Sequence, residues 1–175
     1  MITPKDVILL VDDEEAMHQM YRAVFKRTNG RFRLLHATSG EQALERLSRE
    51  YVDVVLMDVM MGGMTGVQTL QKIREMDSDI DVVMVTAVQE LRTAVSAIKL
   101  GAFDYLSKPY EVEELFATID RAFERRKLRR ENAYLRMALD AMMPFDDMVG
   151  ESPAMKQIFN LVDLIAGSDG TVLIT

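Results

Sequence analysis

The sequence predicts an α/β fold, a doubly wound sheet of five parallel strands covered by helices on both faces. Short apolar runs alternate with segments whose apolar residues recur at helical spacing. Strands that alternate with helices of this length imply right-handed crossover connections and a parallel sheet. Polar residues directly follow four of the apolar runs, at the places where the carboxyl ends of parallel strands open into a crevice.

The first part of the chain supplies three strands and two helices. They are predicted, in the order strand, helix, strand, helix and strand, at residues 7–11, 14–28, 32–37, 39–50 and 54–57. Asn29-Gly30 ends the first helix. Ser39 and Gln42 have the spacing of a capping box, which favours the start of the second helix.

The next part continues the alternation. Thr65 and Gln68 again have capping-box spacing and predict a third helix. A fourth strand is predicted at residues 82–85, and a fourth helix over residues 91–98 is closed by Gly101, where a C-cap glycine would lie. The fifth strand is short and lies near Tyr105.

The fifth helix is predicted to continue far beyond the sheet, because no glycine or proline occurs between residues 112 and 142. Its residues at alternating spacings of four and three predict a short parallel coiled coil: Leu128, Asn132, Leu135, Leu139 and Met142. We favour this dimer over the alternative, a single amphipathic helix that folds back onto the domain.

Composition limits the function classes. The chain has 175 residues, enough for one ordinary domain with some remainder. A net charge of -7 argues against a nucleic-acid or anionic-membrane binder, and the absence of cysteine excludes disulfides, thiolate zinc sites and cysteine nucleophiles. Neither a membrane-helix run nor a signal-peptide pattern is present in the sequence, so a cytoplasmic protein is expected.

Three carboxylates, a hydroxyl and an ammonium group are expected to meet at the carboxyl edge of the sheet. They belong to Asp12, Asp13, Asp58, Thr86 and Lys108. Each has an ordinary structural explanation when taken alone, but together they form a set suited to a divalent cation and a phosphoryl group. Three carboxylates in one crevice repel one another unless a cation such as Mg²⁺ offsets their charge.

These residues, with Pro109 and Tyr105, closely resemble the receiver domain of two-component response regulators over about residues 5 to 125. The resemblance implies the flavodoxin-like strand order 2-1-3-4-5. It further implies that Asp58 accepts a phosphoryl group from a histidine kinase. Mg²⁺ would be held by Asp12, Asp13, Asp58 and the backbone carbonyl of Met60.

The resemblance also assigns a switch. Lys108 would contact the phosphoryl group from a cis Lys108-Pro109 peptide bond, Thr86 would move toward that group, and Tyr105 would turn inward. Two positions depart from the family, which usually has proline at Gly62 and aspartate at Thr65. Adjacent glycines at 62 and 63 predict a more mobile loop. Apolar Met60 and Val88, beside the expected path of the attacking water, predict slow self-dephosphorylation.

Residues 149–175 resemble the entry to the AAA+ domain of NtrC-type activators of sigma-54 promoters. No GxxxxGK motif occurs in the sequence, so nucleotide binding by that route is not expected. The predicted organisation is a receiver domain at 1–125, a helical coiled-coil linker at 126–148, and a truncated AAA+ fragment at 149–175. Pro144 breaks the long helix, Ser152-Pro153 begins a new one, and residues 172–175 predict a strand.

The predicted protein is therefore a two-component response regulator without enzymatic turnover beyond slow self-dephosphorylation. Phosphorylation would change a homodimer formed through the fourth helix, the fifth strand, the fifth helix and the coiled coil. DNA and sigma-54 RNA polymerase would be reached through regions absent from this sequence. The alternatives are a stand-alone phosphorelay receiver and a Mg²⁺ phosphatase of the haloacid dehalogenase type, although that family's Asp-x-Asp motif is absent.

Two further features are predicted to be structural. The basic run from Arg125 to Arg130 is bracketed by Glu124 and Glu131 and lacks interleaved aromatic residues, which favours a solvated helix flank over a nucleic-acid site. His18 and His36 are interpreted as isolated, since neither has partners at metal-ligand spacing.

Overall fold

The computed structural model describes residues 6–77, 79–87, 91–142, 150 and 152–165. Its elements follow the predicted order: β1 (Asp6–Val11), α1 (Glu15–Lys26), β2 (Phe32–Ala37), α2 (Gly40–Arg49), β3 (Val54–Asp58), α3 (Gly66–Met76), β4 (Asp81–Ala87), α4 (Leu91–Lys99), β5 (Asp104–Lys108), α5 (Val112–Met142) and α6 (Pro153–Ile165).

The five strands form one parallel sheet in the order β2-β1-β3-β4-β5, which confirms the predicted fold class and strand order. β1 and β3 are neighbours, although β2 lies between them in the chain. The chain therefore builds outward from β1 in both directions. The reversal of strand order between β1 and β3 leaves a crevice outside their carboxyl ends.

Two hydrophobic cores lie on the two faces of the sheet. Side chains of β1 alternate between them, because successive residues of a strand point to opposite faces. Leu9 packs in one core with Ala43, Leu70 and Ala97 of α2, α3 and α4. The other core receives residues of β1, α1 and α5, namely Ile8, Leu10, Tyr21, Phe25, Leu115, Ile119 and Ala122.

The helix boundaries follow the predicted signals. Thr65 forms a complete capping box with Gln68 at the start of α3, and Ser39 accepts a hydrogen bond from the Gln42 amide at the start of α2. After α4, Gly101 has φ +95°, and the Ala102 amide donates to the Ala97 carbonyl. This is the glycine-terminated helix end that the sequence predicts.

α5 is a single helix of 31 residues. The chain divides into two compact units, Met1–Arg129 and Arg130–Thr175, so the sheet belongs to the first and α6 to the second. At the start of α6, the Met155 amide donates to the Ser152 hydroxyl. The predicted strand at 172–175 lies outside the described residues. Within the described part of the chain, no helix combines the length and apolarity needed to cross a membrane.

Candidate functional site

The switch-point crevice brings together the carboxylates that follow β1 and end β3. Asp12 comes directly after β1 and is 2% exposed, while Asp58 is the last residue of β3 and is 9% exposed. The two strands are hydrogen-bonded neighbours up to the pair Val11 and Met57. Two acidic side chains are consequently held in a largely buried place, where water offsets little of their charge.

Lys108 enters the same crevice from the end of β5. Its Nζ donates hydrogen bonds to Asp58 Oδ2 at 2.8 Å and to Asp12 Oδ2 at 3.2 Å. Burial would lower the pKa of Lys108, but the hydrogen bonds and charges of Asp58 and Asp12 outweigh it and raise the pKa above its ordinary value. The lysine is therefore a permanent cation between the two carboxylates. The Lys108-Pro109 peptide bond is cis, as expected.

Each of the three carboxylates is also oriented by a backbone amide. The Glu14 amide donates to Asp12 Oδ1 at 2.9 Å, and the Met60 amide donates to Asp58 Oδ1 at 3.3 Å. Asp13 Oδ2 accepts from the Gly62 amide at 2.8 Å. These bonds orient the carboxylates. Because backbone amides are neutral donors, they leave the negative charge of the carboxylates in place.

The loop after β3 approaches the site closely because α3 begins with glycine. A Cβ atom at Gly66 would lie 2.1 Å from the Asp58 carbonyl oxygen, a distance that no side chain tolerates. The Gly66 amide donates to the Val59 carbonyl at 2.9 Å. The chain can thus turn back directly behind Asp58, which brings Met60 to the rim of the crevice.

The two predicted switch residues lie on β4 and β5. Thr86 is 2% exposed and pairs in register with Ser107, one residue before Lys108. Tyr105 is 38% exposed, so its side chain lies at the surface. Met60 is 62% exposed. Val88 lies outside the described residues, and the sequence-based prediction for it stays a prediction.

A pair of tyrosines supports the turn that carries Lys108. The hydroxyl groups of Tyr21 on α1 and Tyr110, two residues after Lys108, are hydrogen-bonded to each other. Burial, followed by the proximity of Tyr110, raises the pKa of Tyr21, so its phenol stays protonated. No sequence pattern predicts this contact, since it joins α1 to the β5–α5 loop across 89 residues.

The prediction that His18 and His36 are isolated is wrong. His18 Nε2 lies 2.7 Å from the Asp12 carbonyl oxygen, and the Nδ1 atoms of the two rings are 3.0 Å apart. The carbonyl can only accept, so His18 Nε2 carries the proton, and His36 Nδ1 donates to His18 Nδ1. His36 Nε2 accepts from Arg22 Nε at 3.3 Å. A chain of hydrogen bonds therefore runs from the surface to the backbone of Asp12.

The donor set of the crevice fits Mg²⁺ in its chemistry. Three carboxylates and one ammonium group leave two negative charges in excess, and carboxylate and carbonyl oxygens are the ligands that Mg²⁺ prefers. Among the residues that the structure describes, no three His, Cys, Asp or Glu side chains are arranged to hold a metal together. The ammonium group of Lys108 lies between Asp12 and Asp58 and is the counterion of both carboxylates.

Comparison with known proteins decides the family. A family model for the response regulator receiver domain matches residues 8–120. The chain belongs to the response regulator receiver domain family. Residues 8–120 thus form the receiver domain of a two-component response regulator, and this domain belongs to a class of signalling domains.

The similarity to some known proteins extends beyond the residues that the receiver model matches. Regulatory protein AtoC from Escherichia coli is 34% identical over 168 residues, which cover 96% of this chain and 36% of AtoC. A receiver domain protein from Clostridium thermocellum is 30% identical, with a TM-score of 0.66 over 70% of this chain and 98% of that one. NtrX from Brucella abortus, in complex with ADP, is 28% identical, with a TM-score of 0.70 over 93% of this chain and 34% of that one.

The chain therefore spans about a third of the length of AtoC and NtrX. What those longer proteins do as a whole lies beyond the matched segment.

Proposed function

We propose that Asp58 accepts a phosphoryl group from a sensor histidine kinase and that the domain works as a phosphorylation switch. The contact of Lys108 Nζ with Asp58 Oδ2 at 2.8 Å carries the proposal. This contact places the nucleophile Asp58 beside a permanent cation at the point where the strand order of the sheet reverses. Membership of the receiver family supports this function over a haloacid dehalogenase-type phosphatase.

The chemistry is a transfer of phosphorus from nitrogen to oxygen. A carboxylate oxygen of Asp58 attacks the phosphorus of a phosphohistidine, the P–N bond breaks, and the imidazole leaves with the electron pair and takes up a proton. The product is an acyl phosphate on Asp58. Lys108 stays charged and contacts the phosphoryl oxygens, which carry the negative charge after the transfer. The Thr86 hydroxyl is a further hydrogen-bond donor to these oxygens.

Mg²⁺ would be held by Asp12, Asp13, Asp58 and the backbone carbonyl of Met60. When bound, it supplies positive charge that offsets the phosphoryl oxygens during transfer. The excess of two negative charges among the three carboxylates and Lys108 supports this assignment.

The acceptor is tested with a small phosphodonor, such as acetyl phosphate, in the presence of Mg²⁺. Wild-type protein should gain one acid-stable, base-labile phosphoryl group per chain, and Asp58→Asn should gain none. Asp120→Asn is the matched control, because Asp120 is half exposed and pairs with Arg31 away from the crevice. Equal labelling of Asp58→Asn and wild type would refute the assignment. Turnover of a phosphomonoester that Asp12→Asn abolishes would instead favour the phosphatase.

The switch is proposed to act on a homodimer. Leu128, Leu135 and Leu139 of the predicted seam are 58%, 59% and 59% exposed, which leaves an apolar stripe along α5 uncovered. Val95 and Ile98 of α4 and Tyr105 of β5 are also exposed apolar positions, on the proposed α4–β5–α5 dimer face. A second copy of the chain would cover both surfaces.

Light scattering tests this dimer. Leu135→Asp should lower the mass to that of a monomer, whereas Met137→Asp should not, since Met137 is 71% exposed but lies off the seam. Addition of a phosphoryl mimic to wild type should change the mass or the helix packing. Identical masses for the two variants would count against the coiled coil.

The proposed output is a sigma-54-dependent transcription activator, reached through an AAA+ region, and a cytoplasmic location accompanies this role. The AtoC match supports it, because it covers 96% of the chain and so continues past residue 120, where the receiver model ends. The NtrX complex with ADP shows a nucleotide on that longer relative. Reading the gene beyond the codon for Thr175 tests the proposal. A GxxxxGK motif shortly after it is expected, and a stop codon there would favour a stand-alone relay.

A further inference from the structure

Asp13 is held by a contact from outside its own segment. Its Oδ2 atom accepts a hydrogen bond of 2.8 Å from the amide of Gly62, 49 residues away in the chain. Asp13 is exposed, so packing does not fix its side chain. A single backbone donor in the β3–α3 loop therefore sets the direction of a carboxylate at the proposed metal site.

The loop that carries this donor, residues 59–65, is itself fixed at both ends. The Val59 amide donates to the Val85 carbonyl at 3.0 Å, and the Thr65 amide donates to Gln68 Oε1 at 3.0 Å. These hydrogen bonds at the two ends of the loop place the Gly62 amide. The more mobile loop that the neighbouring glycines predict stays a prediction.

The residue type at position 62 decides whether this bond can exist. Proline, which the family usually has here, lacks an amide hydrogen. Alanine keeps that hydrogen, and among the described residues its Cβ would meet only Asp13 Oδ2, at 3.6 Å, an ordinary van der Waals distance. Gly62 is also not among the glycines with positive φ in the described part of the chain, which are Gly30, Gly63 and Gly101. Alanine at position 62 keeps the donor and proline removes it, and proline also restricts the backbone at positions 61 and 62.

We propose that the Gly62 amide is a positioning group for the metal site. It binds one oxygen of Asp13 and leaves the other free to bind Mg²⁺, as partners of metal ligands commonly do. This inference rests on the proposed function, in which Asp13 is a ligand. By the reciprocity of coupled equilibria, metal binding must then strengthen the bond between Gly62 and Asp13 and order the loop.

Calorimetric titration of the whole chain with Mg²⁺ tests the donor. Gly62→Pro should weaken Mg²⁺ binding about tenfold, which is the lower end of the usual effect of losing such a partner. Gly62→Ala should stay within about twofold of wild type, because it keeps the amide hydrogen. Equal affinities for all three proteins would overturn the inference and leave the acceptor role of Asp58 intact. Absence of Mg²⁺ binding to wild type would overturn the proposed metal site as well.

A measurement on wild type covers the case in which Gly62→Pro does not fold. Hydrogen exchange of the Gly62 amide, followed by NMR, should slow when Mg²⁺ is added. Faster exchange would show that the metal competes with the hydrogen bond and would overturn the inference. Labelling of Asp58 by the phosphodonor, measured in parallel, separates this result from a failure of the proposed function.

Discussion

At the carboxyl end of the sheet one lysine forms ion pairs with two aspartates, whereas at the amino end four aspartates form ion pairs with four arginines. These four aspartates precede or begin β3, β4 and β5. They contact a row of arginines along α5, with the pairs Asp104–Arg121, Asp81–Arg125, Asp53–Arg126, Asp79–Arg129 and Asp81–Arg129. Both ends thus pair aspartates with cations, a lysine at the carboxyl end and arginines at the amino end, and the balance of charge differs.

The geometry of the ion pairs also differs between the amino end and the carboxyl end. At the amino end, Arg129 donates to both oxygens of Asp81 at 2.7 Å, and Asp81 is 2% exposed. Both bonds come from Arg129 Nη2, and Arg125 lies 3.5 Å from the same carboxylate, so the buried charge of Asp81 is offset by two arginines. At the carboxyl end, one ammonium group is divided between Asp12 and Asp58. The balanced end holds the fold together, and the end with excess negative charge is suited to recruit a cation.

The amino end also anchors the outgoing helix. The Arg126 guanidinium donates to the Asp53 and Asp79 carbonyls at 3.1 Å and to the Tyr51 hydroxyl at 3.0 Å. The Arg126 side chain is only 12% exposed, and its Nε forms an ion pair with Asp53 at 3.2 Å without the angle of a hydrogen bond. The prediction of a solvated flank is therefore wrong for Arg126 and for Arg129.

The largest effect on stability is expected at the amino end. Arg129→Ala should lower the free energy of unfolding by about 3 kcal/mol, because it leaves the buried Asp81 carboxylate with only the longer contact to Arg125. Urea unfolding measures this. Arg136→Ala, at an exposed position of the same helix, should stay within about 0.5 kcal/mol of wild type. A loss below about 1 kcal/mol for Arg129→Ala would contradict the view that this end holds the fold.

Local patterns were sufficient for the elements and for most of the site. Alternating apolar runs and capping boxes mark the helices and strands, and a polar residue at a strand end is recognisable without knowing its neighbours. Asp12, Asp58 and Lys108 could be grouped for that reason, and the structure brings them within hydrogen-bonding distance.

Contacts between distant segments could not be predicted in this way. Arg126 and Arg129 meet aspartates from separate strands only because α5 packs across the amino edge. His18 and His36 meet because α1 packs beside β2, and Asp13 is held by a backbone amide, which any residue except proline could supply. None of these partners leaves a spacing signal in the sequence.

At the carboxyl end, substitutions should change chemistry more than stability. If Met60 slows hydrolysis by its apolar side chain, Met60→Asn should shorten the lifetime of the phosphorylated protein about tenfold, because a polar group can orient the attacking water. Met60 is 62% exposed, so folding should be little affected. Loss of acyl phosphate over time is the measurement, with Met76→Asn, at an exposed methionine at the end of α3, as the control. Equal lifetimes for Met60→Asn and wild type would contradict the prediction.

The same substitution should have opposite effects at the two ends. Without Mg²⁺, Asp13→Asn should raise the free energy of unfolding by about 0.5 kcal/mol, since it removes repulsion and keeps an acceptor for the Gly62 amide. Asp81→Asn should lower it, because Arg129 loses the nearer of its two charged partners. Urea unfolding with a chelator present compares the two. A loss of stability in Asp13→Asn would show that repulsion between carboxylates does not destabilise the carboxyl end of the sheet.

The smallest effect is a pH dependence that arises beside the crevice, at His36. Burial, followed by the charges of Arg22 and His18, lowers the pKa of His36 below its ordinary value, whereas Glu15 acts in the opposite direction. The folded state therefore prefers the neutral ring, which accepts from Arg22 and donates to His18. The unfolded chain binds a proton near pH 6.5 and the folded chain only at lower pH, so stability is complete above about pH 6.5 and falls as the pH drops below it. His36→Gln should lose less stability than wild type between about pH 7.5 and pH 5.5. Equal losses in urea unfolding would show that protonation of His36 does not oppose folding. The hydrogen bonds that run from His36 through His18 to the Asp12 carbonyl would then not contribute to the charge balance at the carboxyl end of the sheet.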